Sequence, residues 1–166
     1  MKRIDHELWQ QLLSNLREQR RHVHALIRLA REQTRVLAAA DVERLAQITQ
    51  EQATLLDQID ILETQRRQIT QRVGKSLGLP AEAPTLSDCI QLAPEGIART
   101  LNWLRRELVE EIQHLQTINE RNRVLVNHAA ETTNTWLALV VNAATNQASY
   151  HPQPTSSLAV VLNTEV

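Results

Sequence analysis

The chain has 166 residues, enough for one ordinary domain, and contains 3 glycines, 5 prolines, 3 tryptophans, 1 tyrosine and no phenylalanine. Leu, Ala, Gln, Glu and Arg dominate; because these residues favour helices and strand-favouring aromatic residues are scarce, the composition predicts an all-α fold. The 18 basic and 19 acidic side chains leave a net charge of −1, which supplies no long-range field for DNA, RNA or an anionic membrane, so we predict no nucleic-acid partner.

The single cysteine, Cys89, excludes a disulfide framework and favours a reducing compartment. Residues 1–13 begin with basic side chains but contain no apolar core segment, so they do not resemble a secretory signal. No run of about 18 apolar residues occurs in the chain, which predicts no membrane insertion. We therefore expect a cytoplasmic location.

Glycine and proline divide the chain into long segments. All three glycines and three of the five prolines fall within residues 74–96, and the other two prolines are Pro152 and Pro154. Residues 1–73 and 97–151 contain neither residue type. Long stretches without the two strongest helix breakers predict long helices.

The first segment is predicted to form two helices, over residues 5–38 and 42–73. In both, apolar residues recur in alternating steps of three and four, which is typical of helices that pack along their length. Asp41 is a good N-cap residue, so a tight turn is expected near residues 38–41. The alternative is a single unbroken helix, but a hairpin is simpler because each arm can cover the other.

The glycine- and proline-rich connection is predicted to hold a short helix over residues 86–92, with Thr85 as its N-cap and Asp88 at the third position. A third long helix is predicted over 96–146, which would exceed the hairpin arms by about 25 Å. These elements predict an elongated antiparallel three-helix bundle or coiled coil over residues 1–146. Residues 147–166 are predicted to be a flexible tail.

One polar residue falls where the third helix is expected to pack. Asn122 occupies an a position of the heptad repeat, between Ile118 and Leu125. A buried asparagine at such a position fixes the register of packed helices at a cost in stability. We therefore interpret Asn122 as a register-setting residue.

Candidate catalytic groups are few. Glu111 and His114 have the E-x-x-H spacing of di-iron bundles, but such sites need a second pair and further carboxylates, so a solvated helix face is favoured. Cys89 is expected to be a small buried residue rather than a nucleophile. The paired arginines, such as Arg20 with Arg21, are interpreted as solvated faces. We predict no catalytic residues, no metal and no cofactor, and therefore no enzyme.

Three stretches of this sequence carry a family resemblance: "LLDQIDILETQRRQI" at residues 55–69, the "LGLP…TLSD" connection at 77–88, and "LNWLRREL…INERNRVLV" at 101–126. With the order of the helices, they resemble the FlgN-type flagellar export chaperones over nearly the whole chain. The resemblance implies a cytosolic chaperone for the hook-associated proteins that join flagellar hook to filament. Such a chaperone binds their C-terminal helices, prevents premature assembly and delivers them to the cytoplasmic domain of the export gate.

The resemblance also implies that the third helix and the segment after it bind the client protein. We expect Trp136 to be the main anchor. The candidate apolar contacts are Val124, Leu125, Ala129, Trp136, Leu137, Leu139 and Val140. Tyr150 is the candidate for docking at the export gate, although the family's "Y-x-x-x-G" pattern is "YHPQP" here. The alternative for the apolar residues is packing against the first two helices.

Two other functions suit the same heptads. One is a structural coiled-coil module, a homodimer that tethers other components and has no chaperone activity. The other is a metalloenzyme bundle, for which Glu111 and His114 are the only candidate pair. The oligomeric state separates the first from a chaperone, because a tight dimer that buries the third helix would leave no surface for a client.

Overall fold

The computed structural model describes residues 6–78 and 84–145. Within those ranges the secondary structure is entirely helical, which confirms the all-α class. The four helices are α1 (His6–Ala39), α2 (Val42–Leu77), α3 (Leu86–Leu92) and α4 (Glu95–Thr145). The predicted tail, residues 147–166, lies outside the described residues.

The turn between α1 and α2 excludes the alternative of one unbroken helix. Ala40 takes a positive φ of 55°, and Asp41 then caps α2 by accepting a hydrogen bond from the Arg44 amide at 3.0 Å. Arg44 also reaches back to Glu32 of α1, with Nε 2.7 Å from Oε1. At the far end Arg72 donates to Gln11, so the two helices run antiparallel.

The end of α2 differs from the prediction of residue 73, because the helix continues through Gly74 to Leu77. A glycine inside a helix costs only about 1 kcal/mol, too little to end a helix whose neighbours pack well. The stop comes instead from Gly78, whose φ of 74° places it in the left-handed region. Its amide donates to the carbonyls of Gly74 and Lys75, which satisfies the last turn.

The short helix α3 starts as the sequence predicted. The Thr85 side chain accepts from the Asp88 amide at 3.2 Å, and Asp88 Oδ2 accepts from the Thr85 amide at 2.8 Å. These reciprocal bonds form a capping box. The bonds from the Thr85 hydroxyl and amide lower the pKa of Asp88.

The chain divides into two compact units, residues 1–128 and 129–166. In the first unit α4 runs parallel to α1, because Arg20 contacts Glu107 and, further along both helices, Ala30 contacts Asn122. Helix α1 thus packs against both α2 and α4, and it supplies most of the core. The largest fully buried side chains of this unit include Trp9, Leu12, Leu16, Ile48, Val73, Leu101 and Leu104.

In the first unit, the a and d positions of the heptad repeat correctly predict which residues of α4 are buried. In α4 the predicted a and d positions are buried or half-buried from Leu101 to Leu125. In the second unit the described helix covers residues 129–145, and the same spacing continues through Ala129, Trp136 and Leu139, but these three side chains are exposed. None of the described helices is long and apolar enough to cross a membrane.

Candidate protein-binding surface

Asn122 is held by polar groups of α1. Its side chain is 4% exposed. Its amide donates to the Ala30 carbonyl at 2.9 Å and to Gln33 Oε1 at 3.2 Å, while its carbonyl accepts from the Thr34 hydroxyl at 2.6 Å. The buried polar group is therefore fully hydrogen-bonded across the α1–α4 interface. Its role in setting the register stays a prediction.

Two of the predicted client-binding residues lie in the first unit, and they differ in solvent exposure. Val124 is 43% exposed, whereas Leu125 is half-buried. Leu125 follows Asn122 by three residues and continues the packed side of α4. In this unit, then, Val124 is the side chain that is open to a partner and Leu125 is engaged in part by the fold.

The predicted residues of the second unit form its exposed apolar surface. Trp136 is 67% exposed, Leu137 57% and Leu139 61%, and Ala129 is exposed as well. Val141, which the sequence analysis did not include, is 49% exposed; its spacing of four residues from Leu137 was the available signal. The Val140 side chain and Tyr150 lie outside what the structure describes.

The surface of the second unit has almost no charge. Glu131 is the one charged residue between 129 and 145, and residues 132–164 contain no Asp, Glu, Lys or Arg at all. The Thr133 and Thr135 hydroxyls donate to the carbonyls four residues earlier, both at 2.9 Å. Since those hydroxyls are satisfied by the backbone, the threonines contribute little polarity to a contact. The described helix therefore offers an apolar surface with a single charged residue and one large aromatic ring.

Such a surface suits protein binding better than chemistry. Exposed apolar residues grouped on one helix mark interaction sites, and helix-in-groove recognition uses anchors at helical spacing. Within residues 6–78 and 84–145, no group of three or more His, Cys, Asp or Glu side chains is placed to hold a metal ion.

The prediction of a solvated face for Glu111 is wrong. Its carboxylate accepts from Arg20 Nε at 2.9 Å and lies 2.6 Å from His24 Nε2. Arg20 also reaches Glu107 and stacks 4.9 Å above the Trp103 ring. The physical reason is that Glu111 occupies a packed position of the heptad repeat. Because α1 and α4 run parallel, the Arg20 guanidinium of α1 then lies beside the Glu111 carboxylate of α4.

Cys89 is buried, as expected, with 0% of its surface exposed. Burial, with a smaller contribution from Asp88, raises the pKa of its thiol to about 11, against the opposing effect of Arg66. The thiol therefore stays neutral near pH 7. A neutral, buried thiol is a weak nucleophile.

Comparison with known proteins gives a family match. The family model described as FlgN protein matches residues 1–156, which include every described residue. Neither the curated proteins nor the solved structures contain a significant match to this chain.

Proposed function

Because the chain belongs to the FlgN family of flagellar export chaperones, we propose that it binds the C-terminal helices of the hook-associated proteins in the cytoplasm. In this proposal it prevents their premature assembly and delivers them to the export gate. The observation that carries the proposal is the exposed apolar surface of residues 129–145, which is uncharged from residue 132 onward and has Trp136, Leu137 and Leu139 more than half exposed.

The chemistry of this surface fits a client that presents an amphipathic helix. An isolated amphipathic helix exposes an apolar stripe, and burial against another apolar surface removes both from water. Burying an indole of roughly 200 Å² at about 25 cal/mol per Å² contributes about 5 kcal/mol before the costs of ordering. Trp136 is therefore the side chain expected to dominate client affinity.

The proposal includes three further predictions from the sequence. The helices of residues 1–146 form an elongated three-helix bundle or coiled coil, the tail of residues 147–166 is flexible, and Tyr150 in that tail docks at the export gate. These elements divide the two tasks of an export chaperone between a client surface and a delivery segment.

The client surface is tested by Trp136→Glu, with Ile61→Glu as its matched control. Both residues are exposed apolar side chains on helices, at 67% and 58%, so each change places one carboxylate on a helix surface. We expect Trp136→Glu to weaken binding of a hook-associated protein's C-terminal helical segment by at least about tenfold. Ile61→Glu should leave it within about twofold. Calorimetric titration measures both.

Equal affinities for the wild type and the Trp136→Glu variant would refute the client surface. Light scattering on the same samples measures the oligomeric state and so tests the alternative of a structural homodimer. A concentration-independent dimer that Trp136→Glu dissociates would show that this surface binds a second copy of the chain instead of a client.

The delivery segment is tested by Tyr150→Ala. We expect this variant to bind the client segment normally and to bind the purified cytoplasmic domain of the export gate at least about fivefold more weakly, because an aromatic anchor has been removed. Surface-immobilised gate domain reports the affinity. Unchanged gate binding would overturn the role of Tyr150 and leave the client surface standing.

A further inference from the structure

Helix α1 carries a straight row of exposed basic side chains that the proposed client binding does not use. Successive members are four, three, four, three and four residues apart, so they fall within an arc of roughly 80° on the helix. The row is about 27 Å long at about 1.5 Å per residue. Its members are Arg17, Arg21, His24, Arg28, Arg31 and Arg35, all exposed.

The charge of this row is poorly compensated. Residues 17–35 contain six arginines and two glutamates, a net charge of +4 in a chain whose total is −1. Of the two glutamates, Glu18 pairs with Arg21, whereas Glu32 is bound by Arg44 of α2 at 2.7 Å. In the described part of the chain, Arg17, Arg28 and Arg35 form no ion pair.

A groove with an apolar floor lies beside the row, between α1 and α4. Its volume is about 510 Å³, and among the described residues its lining contains no carboxylate. Ile27, which is 8% exposed, supplies the floor. Arg31 and His114 span the groove, with Arg31 Nη2 2.9 Å from the His114 ring. The groove can take an apolar side chain while the row holds anionic ones.

The stability of α1 does not account for this arrangement. Like charges three or four residues apart destabilise a helix, and the three successive arginine pairs of the row, Arg17–Arg21, Arg28–Arg31 and Arg31–Arg35, have that spacing. The packed side of α1 already provides the core contacts. Positive charge without ion-pair partners raises the local concentration of anionic groups, so the row is suited to binding them.

The shape of the row distinguishes among anionic partners. A nucleic acid or membrane is held by a broad positive field, but this row is one side chain wide on a chain with net charge −1. A helix with acidic side chains at steps of three and four matches the row along its length, as charged positions do in paired helices. We propose that the basic row of α1 and its groove dock an acidic amphipathic helix of a partner protein, separately from the client surface of residues 129–145.

The test uses the full chain and two synthetic helical peptides of about 20 residues, long enough to span the row. One carries glutamates in alternating steps of three and four beside a leucine stripe, and the other has the same composition with the glutamates spread around the helix. Fluorescence anisotropy should show at least about fivefold tighter binding of the first peptide. Binding should weaken at least about tenfold when salt is raised to about 0.5 M.

Two triple variants change the net charge of the chain by the same amount, one within the basic row of α1 and the other outside it. Arg17→Glu, Arg28→Glu and Arg35→Glu together should abolish binding of the first peptide, and the neutral triple change to Gln should weaken it. Arg72→Glu, Arg99→Glu and Arg106→Glu together, which lie on other helices, should change it by less than about twofold. Circular dichroism on each variant checks that the helices are intact.

Several results would overturn the proposal. Equal affinity for the two peptides would show that the row attracts negative charge regardless of how the glutamates are spaced on the peptide helix. Tighter binding to poly(U) RNA or to vesicles of phosphatidylglycerol than to the first peptide would assign the row to a nucleic acid or a membrane. Client binding provides the separate control, because it proceeds through an uncharged surface and should respond little to salt.

Discussion

At the scale of single residues, two polar side chains are bonded across the α1–α4 interface. Asn122 has three hydrogen bonds to α1, and Arg20 joins α1 to two glutamates and a tryptophan of α4. A buried polar group without partners would cost about 1–3 kcal/mol. These side chains therefore form polar contacts between α1 and α4 that apolar residues could not supply.

Replacing Asn122 with alanine should lower the free energy of unfolding by about 2 kcal/mol, because Thr34 and Gln33 lose a buried partner. Asn127→Ala is the control: that residue is exposed on the same helix and should change stability by less than about 0.5 kcal/mol. Urea unfolding followed by circular dichroism measures both. Similar losses in the two variants would mean that the hydrogen bonds of Asn122 contribute nothing specific.

The register role of Asn122 needs a further variant. Asn122→Leu also removes the bonds to Thr34 and Gln33, but it buries an apolar side chain of similar size, whose removal from water offsets that loss. Stability should therefore stay within about 1 kcal/mol of the wild type. If the asparagine sets the register, this variant should populate more than one alignment of α4 on α1. Broadened or doubled amide NMR signals in α4 would report that heterogeneity. A single sharp spectrum would argue against the role.

At the scale of the elements, the junction of α2 and α3 depends on the absence of a Cβ atom at Gly74. A Cβ atom added at Gly74 would stand 2.8 Å from both Cδ and Cγ of Pro84. Those ring atoms belong to a proline that leads into the capping box of α3, so they have little freedom to move. The close approach explains why a helix-weakening residue lies inside α2.

Gly74→Ala should therefore destabilise the protein by about 1–3 kcal/mol, although alanine favours helix by about 1 kcal/mol. Gly96→Ala is the opposite control: within the described structure nothing lies within 4 Å of its added Cβ, so a gain of about 0.5 kcal/mol is expected. The double change Gly74→Ala with Pro84→Ala should recover part of the loss. Thermal unfolding compares them, and a stabilised Gly74→Ala variant would contradict the account.

At the scale of the whole molecule, core and charge are distributed unequally between the two units. Among the residues that the structure describes, the buried apolar side chains belong to the first unit, and all 37 charged side chains of the sequence except Glu165 lie within residues 1–131. The first unit therefore has what independent folding requires, namely a core and a charged surface. The described part of the second unit offers a helix with one charged residue, Glu131, for contact with another protein.

A chain that ends at residue 128 should keep cooperative unfolding, with a midpoint within about 4 °C of the full chain, because it retains the whole core. It should also lose client binding. A chain that begins at residue 18 is the control, since it lacks Trp9, Leu12 and Leu16 and should not unfold cooperatively. Differential scanning calorimetry tests both, and a midpoint more than about 10 °C lower in the first fragment would show that residues 129–166 support the core.

The sequence by itself determined the helical class, the apolar side of each long helix and the start of α3. These features are local: helix propensity, a repeat near 3.6 residues and a capping box need only neighbouring residues. The FlgN resemblance, which the family model confirms, likewise followed from segments of sequence. Tertiary structure was needed wherever the outcome depended on a distant residue.

Three particular outcomes required the fold. Position 74 inside α2 is a glycine because Pro84 fills the space beside it, and Glu111 is paired because α1 lies alongside. Leu125 and Trp136 share the same heptad repeat, yet the first is half-buried and the second 67% exposed. Periodicity decides which side of a helix is apolar, but burial depends on whether another element covers that side, and this is a property of the folded molecule alone.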